Sequence, residues 1–380
     1  MNPLGNKDII VDAEVNSNID IHVGTSSVNP QIDPSISLLF LGDIMFDRGV
    51  RTQIKAHGYE YIFGPATSTI SEHTLTIANL EGPITSNISK NISKEGKAIP
   101  GFQFTFPTNA AVAIKDSGID IISLANNHTF NFGQSGLDET RRFLNTAGVK
   151  YFGSPSNSSS FIATTTCVTD QNRKNIYLGQ KFESNNLSQN YDQICIGLVG
   201  WNEFSHANND EIVNSIKKLR KVVDYLVVFP HWGIEYQATS TNNQRVLARK
   251  WIDAGADTVI GAHPHVVETI EEYKGKPIFY SLGNFIFDQY FSFETTHGIG
   301  VSIKLTKNNS KTSANMSGAT NKTGSSISKE SNITASNGVI PFSSVGTKVS
   351  NPEAEYVKKM FDQIKGVSSL NINQLIGGLN

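Results

Sequence analysis

Short apolar runs recur along this chain, separated by amphipathic stretches. Residues 36–41 read Ile-Ser-Leu-Leu-Phe-Leu, nearly continuous hydrophobic sequence of the kind that forms a strand buried on both faces. Runs at 74–78, 119–124, 193–199, 225–229 and 257–260 repeat the pattern, and 149–152 continues the alternation. Between them, 66–72, 109–117, 135–147, 210–219 and 243–254 carry helical spacing. Thr108 stands where a cap for the second of these is expected. Leu137, Leu144 and Ala147 fall near one helix face, and Val246, Leu247, Trp251 and Ala254 near another. Strand–helix alternation of this kind predicts an α/β fold.

Elsewhere the pattern changes. Residues 102–106, Phe-Gln-Phe-Thr-Phe, alternate and predict a strand with one wet face, while the polar stretch 85–99 reads as an exposed loop. Segments 266–271 and 276–281 flank a turn at Lys274-Gly275, and 300–305 reads as a last strand. Residues 154–192 look like an insertion bordering the site, with a hairpin from 161–169 and 175–182. From 306 to 350 the chain is Ser, Thr, Asn and Lys with too few apolar side chains to offset ordering entropy, which predicts a disordered linker. Tyr356, Met360 and Ile364 give 353–365 helical spacing, for docking on the core or a partner. The expected organisation is a tail or edge segment (1–35), one main domain (36–305), a linker (306–350) and a helical segment (351–380).

Composition narrows the function classes. Lys+Arg number 32 against 34 Asp+Glu, a balance that offers no basic footprint for nucleic acid and no attraction to anionic membranes. No run approaches the ~20 apolar residues that span a bilayer. The polar N-terminus has no secretory-type apolar core, so the chain as written is expected to be soluble and cytoplasmic. Two cysteines, Cys167 and Cys195, exclude a disulfide scaffold; they either pair or sit as small buried side chains.

The chemistry gathers where the strands end. Asp43 follows the first run, Glu81 the second, Asn127-His128 the third; His231 follows 225–229, and His263 and His265 follow 257–260. Open α/β sheets place ligands at the carboxyl ends of strands. Alternate positions in an extended turn aim both imidazoles of Gly261-Ala-His-Pro-His265 the same way. Carboxylates with imidazoles suit Mn, Fe, Co or Zn, as one or two ions. An imidazole outside the ligand set is available as a general acid. Asp47 reads as a surface or supporting acid. Arg48 either contacts an anionic substrate or caps its loop, and Trp232 is a wall of the site or core. His22, His57, His73, His206 and His297 read as surface or core.

In order, Gly42-Asp-Ile-Met45 with Arg48, Asn79-Leu-Glu-Gly82, Ala125-Asn-Asn-His128 with Gly133, His231-Trp-Gly233 with Glu235-Tyr236, Gly261-Ala-His-Pro-His265 and Tyr280-Ser-Leu-Gly-Asn-Phe285 form a specific set over about 36–305. It resembles the calcineurin-like metallophosphoesterase superfamily and, more closely, the CapA-type poly-γ-glutamate capsule-biosynthesis family. The resemblance implies a four-layer α/β/β/α metallophosphatase-like sandwich. It implies Asp43 on a first metal, Glu81 as the bridge, Asn127, His231 and His263 on a second metal, and His265 returning to the first. His128 would be the general acid, with Arg48 assisting; Asn79, Asn126, Glu235, Tyr236 and Asn284 would contact substrate or hold the ligands. Met45 stands where the wider superfamily has a histidine, and Glu81 where it has an aspartate, which opens a single-metal alternative. The implied role is making, anchoring or trimming a γ-glutamyl polymer at the cell envelope, as a metal-dependent hydrolase or transferase. The alternatives are a phosphoesterase acting on a small phosphorylated compound, and a non-catalytic subunit of a polymer synthase or exporter.

Overall fold

The computed structural model describes residues 34–64, 66–156, 163–169, 177–179, 193–205, 209–308, 333–344, 348–350 and 352–367. The chain opens with β1 (Ser35–Ile44), α1 (Arg48–His57), α2 (Tyr59–Phe63), α3 (Ala66–Ser71), β2 (Leu75–Leu80), α4 (Ala110–Asp116), β3 (Ile121–Ser123), α5 (Gly133–Ala147) and β4 (Lys150–Phe152). It continues through β5 (Ala163–Thr169), β6 (Tyr177–Gly179), β7 (Gln193–Asn202), α6 (Asn209–Leu219), β8 (Tyr225–His231), α7 (Asn242–Ala254) and β9 (Thr258–Ile260). It closes with β10 (Ile270–Tyr273), β11 (Lys276–Phe279), β12 (Asn284–Ile286), α8 (Phe293–Thr296), β13 (His297–Lys307), β14 (Ile333–Ser343) and α9 (Ala354–Val367).

The strands form two sheets, making an α/β sandwich. One runs β14-β13-β1-β2-β3-β4 with β12 also on β1; the other runs β10-β11-β9-β8-β7-β5-β6. In each, the central strands are parallel: β1 to β4 in the first, and β7, β8, β9 and β11 in the second. The near-continuous apolar runs have a simple cause. Side chains alternate across a strand, so Leu38 and Phe40 enter the core between the sheets while Leu39 and Leu41 pack on the helix side. In β8, Val227 and Phe229 likewise face the other sheet, and Leu226 and Val228 pack with residues of α6 and α7. The Phe40 and Phe229 rings meet edge to face across the interface, 6.1 Å apart.

Several expectations are corrected. Residues 102–106 are not a strand: only Phe106 makes an isolated bridge, to Ile84. The reason is that side chains take up the backbone there. Asp47 accepts from the Thr105 N–H, Arg51 donates to the Thr105 carbonyl, and Asn91 donates to the Gln103 carbonyl. The 85–99 loop is correspondingly not all exposed, since Thr85, Ser89 and Asn91 are buried. Asn109, not Thr108, occupies the cap position of α4 and makes no side-chain cap bond. Val246 faces solvent on α7.

The expected disorder over 306–350 fails at both ends. Strand β13 runs to Lys307, and Ile333–Ser343 pairs antiparallel with it along its whole length, from His297↔Ser343 to Lys307↔Ile333. An edge strand of this kind is held by backbone hydrogen bonds and a few buried side chains, here Val339 and Phe342, so it needs little apolar sequence. Residues 309–332 lie outside the described set, as do 1–33. The hairpin expected inside 154–192 exists as β5 and β6, and β5 pairs antiparallel with β7 as part of the second sheet. Apart from 154–156, the remainder of that segment lies outside the described residues, and with it the expected place beside the site. Cys167 and Cys195, opposite one another on β5 and β7, are joined as a disulfide. Helix α9 docks on the core through Met360 and Phe361. Among the described residues no helix is long and apolar enough to cross a membrane.

Candidate metal centre

The site is assembled at the carboxyl ends of strands from both sheets. Asp43 lies near the end of β1, where the register slips against both β2 and β12. The slip requires close backbone approach: a Cβ on Gly42 would sit 1.9 Å from the Gly283 carbonyl oxygen. Glu81 follows β2 directly, Asn126 to His128 follow β3, and His231 is the last residue of β8. Beyond β9, a Cβ on Gly261 would sit 2.0 Å from the Tyr280 carbonyl oxygen, so glycine fixes where the turn bearing His263 and His265 begins.

The backbone of this turn is not extended. His263 and His265 have φ of 99° and 61°, so left-handed conformations, and not alternation along an extended segment, aim the two imidazoles. Arg48 and Tyr236 are also left-handed, at 47° and 64°. Ordinary residues persist there only where the surroundings over-determine them, and such residues cluster at functional sites. Among the described residues, four of the five non-glycine residues with positive φ border this site; the fifth, Lys274, forms the expected turn with Gly275.

Glu81 is the centre of the arrangement. It is fully buried, and neither carboxylate oxygen has a hydrogen-bond partner among the described residues. Around its Oε1 stand His265 Nε2 at 3.7 Å, His128 Nε2 at 3.8 Å and His231 Nε2 at 4.0 Å. Asp43, also fully buried, is better supplied: Oδ1 accepts from Asn79 Nδ2 at 2.7 Å and Oδ2 from the His263 N–H at 3.1 Å. His265 Nδ1 lies 3.5 Å from Asp43 Oδ2 and 2.9 Å from Asn284 Oδ1. Asn284 is itself anchored through Nδ2 to Gln289 Oε1 and the Thr295 carbonyl. His231 is bracketed by amides, with Asn79 Nδ2 at 3.2 Å from Nδ1 and Asn127 Oδ1 at 3.0 Å from Nε2. Asn126 holds Asn79 and the Leu80 carbonyl through Nδ2 and takes the His128 and Thr129 N–H groups on Oδ1.

Among the described residues, three triads have donor atoms within 4.8 Å of one another: Asp43–Glu81–His265, Glu81–His231–His263 and Glu235–His263–His265. These carboxylate and imidazole groups, all buried except Glu235, could hold a metal ion. An unpaired carboxylate in a low-dielectric interior is costly, and a cation among these donors relieves that cost. Burial raises the Glu81 carboxyl well above its ordinary range, with Asp43 and Glu235 adding to the rise and His265 opposing it. Burial alone would depress His265, but Glu81, Asp43 and Asn284 outweigh it and hold the imidazole up at about 9. Burial lowers His128 to about 4 and His263 to about 3, and takes His231 well below its usual value. At neutral pH the Glu81–His265 pair therefore keeps a proton while the other three imidazoles are neutral. His128 is therefore neutral at neutral pH, and a general-acid role would begin with its taking up a proton.

The remaining residues fall as follows. The Arg48 guanidinium is taken up by Asp288, which also accepts the Gly49 N–H, and it lies over the Phe104 and Phe287 rings. Phe104 in turn lies against His128 and Phe287 against His265. Asp47 is buried and organises the 89–105 segment through Ser89, Asn91 and Thr105. Trp232 is core, stacked on Trp251 and donating to the Tyr280 carbonyl. Glu235 and Tyr236 are exposed at the mouth, where the Tyr236 hydroxyl accepts from Gln289. His57 is exposed, His73 and His297 are buried away from the triads, and His22 and His206 lie outside the described residues. Sequence reasoning missed Asp288, the ring of Phe104, Phe204 and Phe287 against the imidazoles, and Glu203, which accepts the Gly233 N–H. Phe104 had a signal in its alternating run; Asp288 had none.

Two sheets that bring carboxylates and imidazoles to their strand ends define an α/β protein with a candidate metal centre. The chain belongs to the family described as bacterial capsule synthesis protein PGA_cap, whose pattern matches residues 37–289. It is similar to the capsule biosynthesis protein CapA of Bacillus anthracis, 28% identical over 272 residues, covering 67% of this chain and 60% of that protein. The PGA biosynthesis protein CapA of Bacillus subtilis (strain 168) is 29% identical over 284 residues, covering 70% of this chain and 67% of the relative. A probable polyglutamine synthesis accessory protein of Mycobacterium tuberculosis is 26% identical over 172 residues, covering 44% of this chain and 45% of its own length. The aligned region thus takes in about three-fifths to two-thirds of the two Bacillus proteins.

Proposed function

We propose that this protein works at a metal centre in making, anchoring or trimming a γ-glutamyl polymer of the cell envelope, alongside polymer synthase or export subunits. The observation that carries the metal reading is Glu81, a buried carboxylate with both oxygens unpartnered among imidazoles. The polymer reading draws on the family and on the names of its relatives. The layered cores, one between the sheets and one on each outer face, support a four-layer metallophosphatase-like arrangement.

In this reading Asp43, Glu81, Asn127, His231, His263 and His265 hold one or two divalent ions. A bound ion would supply Lewis-acid polarisation and a lowered pKa for water. Asn79 and Asn284 hold Asp43 and His265 in position. Neutral His128, beside Glu81, would accept the proton of the attacking group and, once protonated, deliver it to the departing one.

Metal content per chain, compared with Asp43→Asn and His263→Ala, tests the centre; turnover of γ-glutamyl peptides against a phosphodiester tests the substrate. Loss of metal in both variants with γ-glutamyl turnover supports the proposal. Phosphodiester turnover abolished by His128→Ala replaces it with a phosphoesterase. Bound metal without turnover of either class points to a non-catalytic subunit.

A further inference from the structure

Beyond the inner donors, one more carboxylate stands at the mouth, beside the Tyr236 hydroxyl. Glu235 is exposed, on the turn leaving β8, and its oxygen lies within 4.8 Å of ligand atoms on His263 and His265. Two further observations set it apart from an ordinary surface acid. The turn that bears it is fastened to the imidazole turn, because the Tyr236 N–H donates to the Pro264 carbonyl at 2.8 Å. That bond joins the segments holding Tyr236, His263 and His265, three ordinary residues held in left-handed backbone. His263 is also buried with its Nδ1 lacking a hydrogen-bond partner among the described residues. A buried ring nitrogen without a partner is an available donor. Charge argues in the same direction. The inner set offers two carboxylates, Asp43 and Glu81, and a divalent ion nearer solvent gains from a third.

We infer that Glu235, with His263 and His265, forms an outer position for a divalent cation, so that Glu235 is itself a metal ligand closing the centre from its mouth. The inference rests on reading this site as a metal centre. Because Glu235 is solvent-facing while the inner carboxylates are buried, the outer position is the one an incoming ion meets first and the one a substrate oxygen reaches most readily.

The test uses the full chain, stripped of metal by a chelator and titrated with Mn²⁺. Free Mn²⁺ is followed by electron paramagnetic resonance and heat by calorimetry, for wild type, Glu235→Gln and Asp43→Asn. Loss of even a supporting partner around a metal is typically worth ~10–100-fold in affinity. Glu235→Gln should therefore weaken one Mn²⁺ at least ~10-fold, or the weaker of two, with an unchanged melting profile before metal is added. A ligand's effect persists at high salt, whereas long-range attraction is screened. The wild-type to Glu235→Gln ratio should hold in 0.5 M NaCl, to the extent that the Debye length falls to roughly 4 Å there. Binding unchanged within twofold in Glu235→Gln, or a ratio that collapses in salt, overturns the inference. If Asp43→Asn alone abolishes binding, the metal centre stands and the outer position does not. If wild type binds no Mn²⁺, both fall.

Discussion

At the residue scale, a cation entering the candidate centre would have to displace a proton. The Glu81–His265 pair keeps it at neutral pH, with His265 held up at about 9. Metal ligands bind deprotonated, so association releases this proton. Apparent Mn²⁺ affinity should rise up to ~10-fold per pH unit toward pH 9 and level off above, measured by titration at several pH values; flat affinity from pH 6 to 9 contradicts the assignment. His128 and His263, held low by burial, add no slope in that window. Glu81→Gln should cost at least ~10-fold in affinity. It should leave the thermal midpoint of the chelated protein unchanged or raised, because burial already disfavours the ionised carboxylate at that position. The donor types were legible in the sequence because each follows an apolar run. The left-handed backbone that aims His263 and His265 was not, since nothing in those side chains announces a positive φ.

At the element scale, legibility followed burial. The parallel central strands β1, β2, β7 and β8 are covered on both faces, and a two-sided hydrophobic demand writes itself into the sequence as a continuous run. Strand β14 has no such demand, and its exposed first half reads as linker. Segment 102–106 erred the other way: its alternation is real, but Asp47, Asn91 and Arg51 satisfy its backbone in place of a neighbouring strand. If β14 is integral, its buried Phe342, edge to face with Phe285 at 5.3 Å, should matter to the whole sheet. Phe342→Ala should lower stability by ~3–5 kcal/mol in urea unfolding, the usual cost of emptying a buried aromatic site. A change under ~1 kcal/mol would mean that the strand is peripheral.

At the scale of the molecule, the centre spans both sheets. Asp43, Glu81 and Asn127 come from the first, and His231, His263 and His265 from the second. A cation held by both sheets binds only when they are packed together, so it should stabilise the fold as a whole. At 100 times its dissociation constant, Mn²⁺ should add ~2.7 kcal/mol, seen as a raised melting temperature that a chelator reverses and that Asp43→Asn lacks. An unchanged midpoint in wild type would contradict a centre shared between sheets.

The Cys167–Cys195 bond ties the hairpin strand β5 to the sheet that supplies the imidazoles. Cross-links of this kind form and endure where the surroundings are oxidising, and thiol buffers of the cytosol dissolve them. The bond thus works as an address label: a chain that has reached an oxidising compartment carries the staple, and one retained among reductants carries two free sulfhydryls for a maleimide to count.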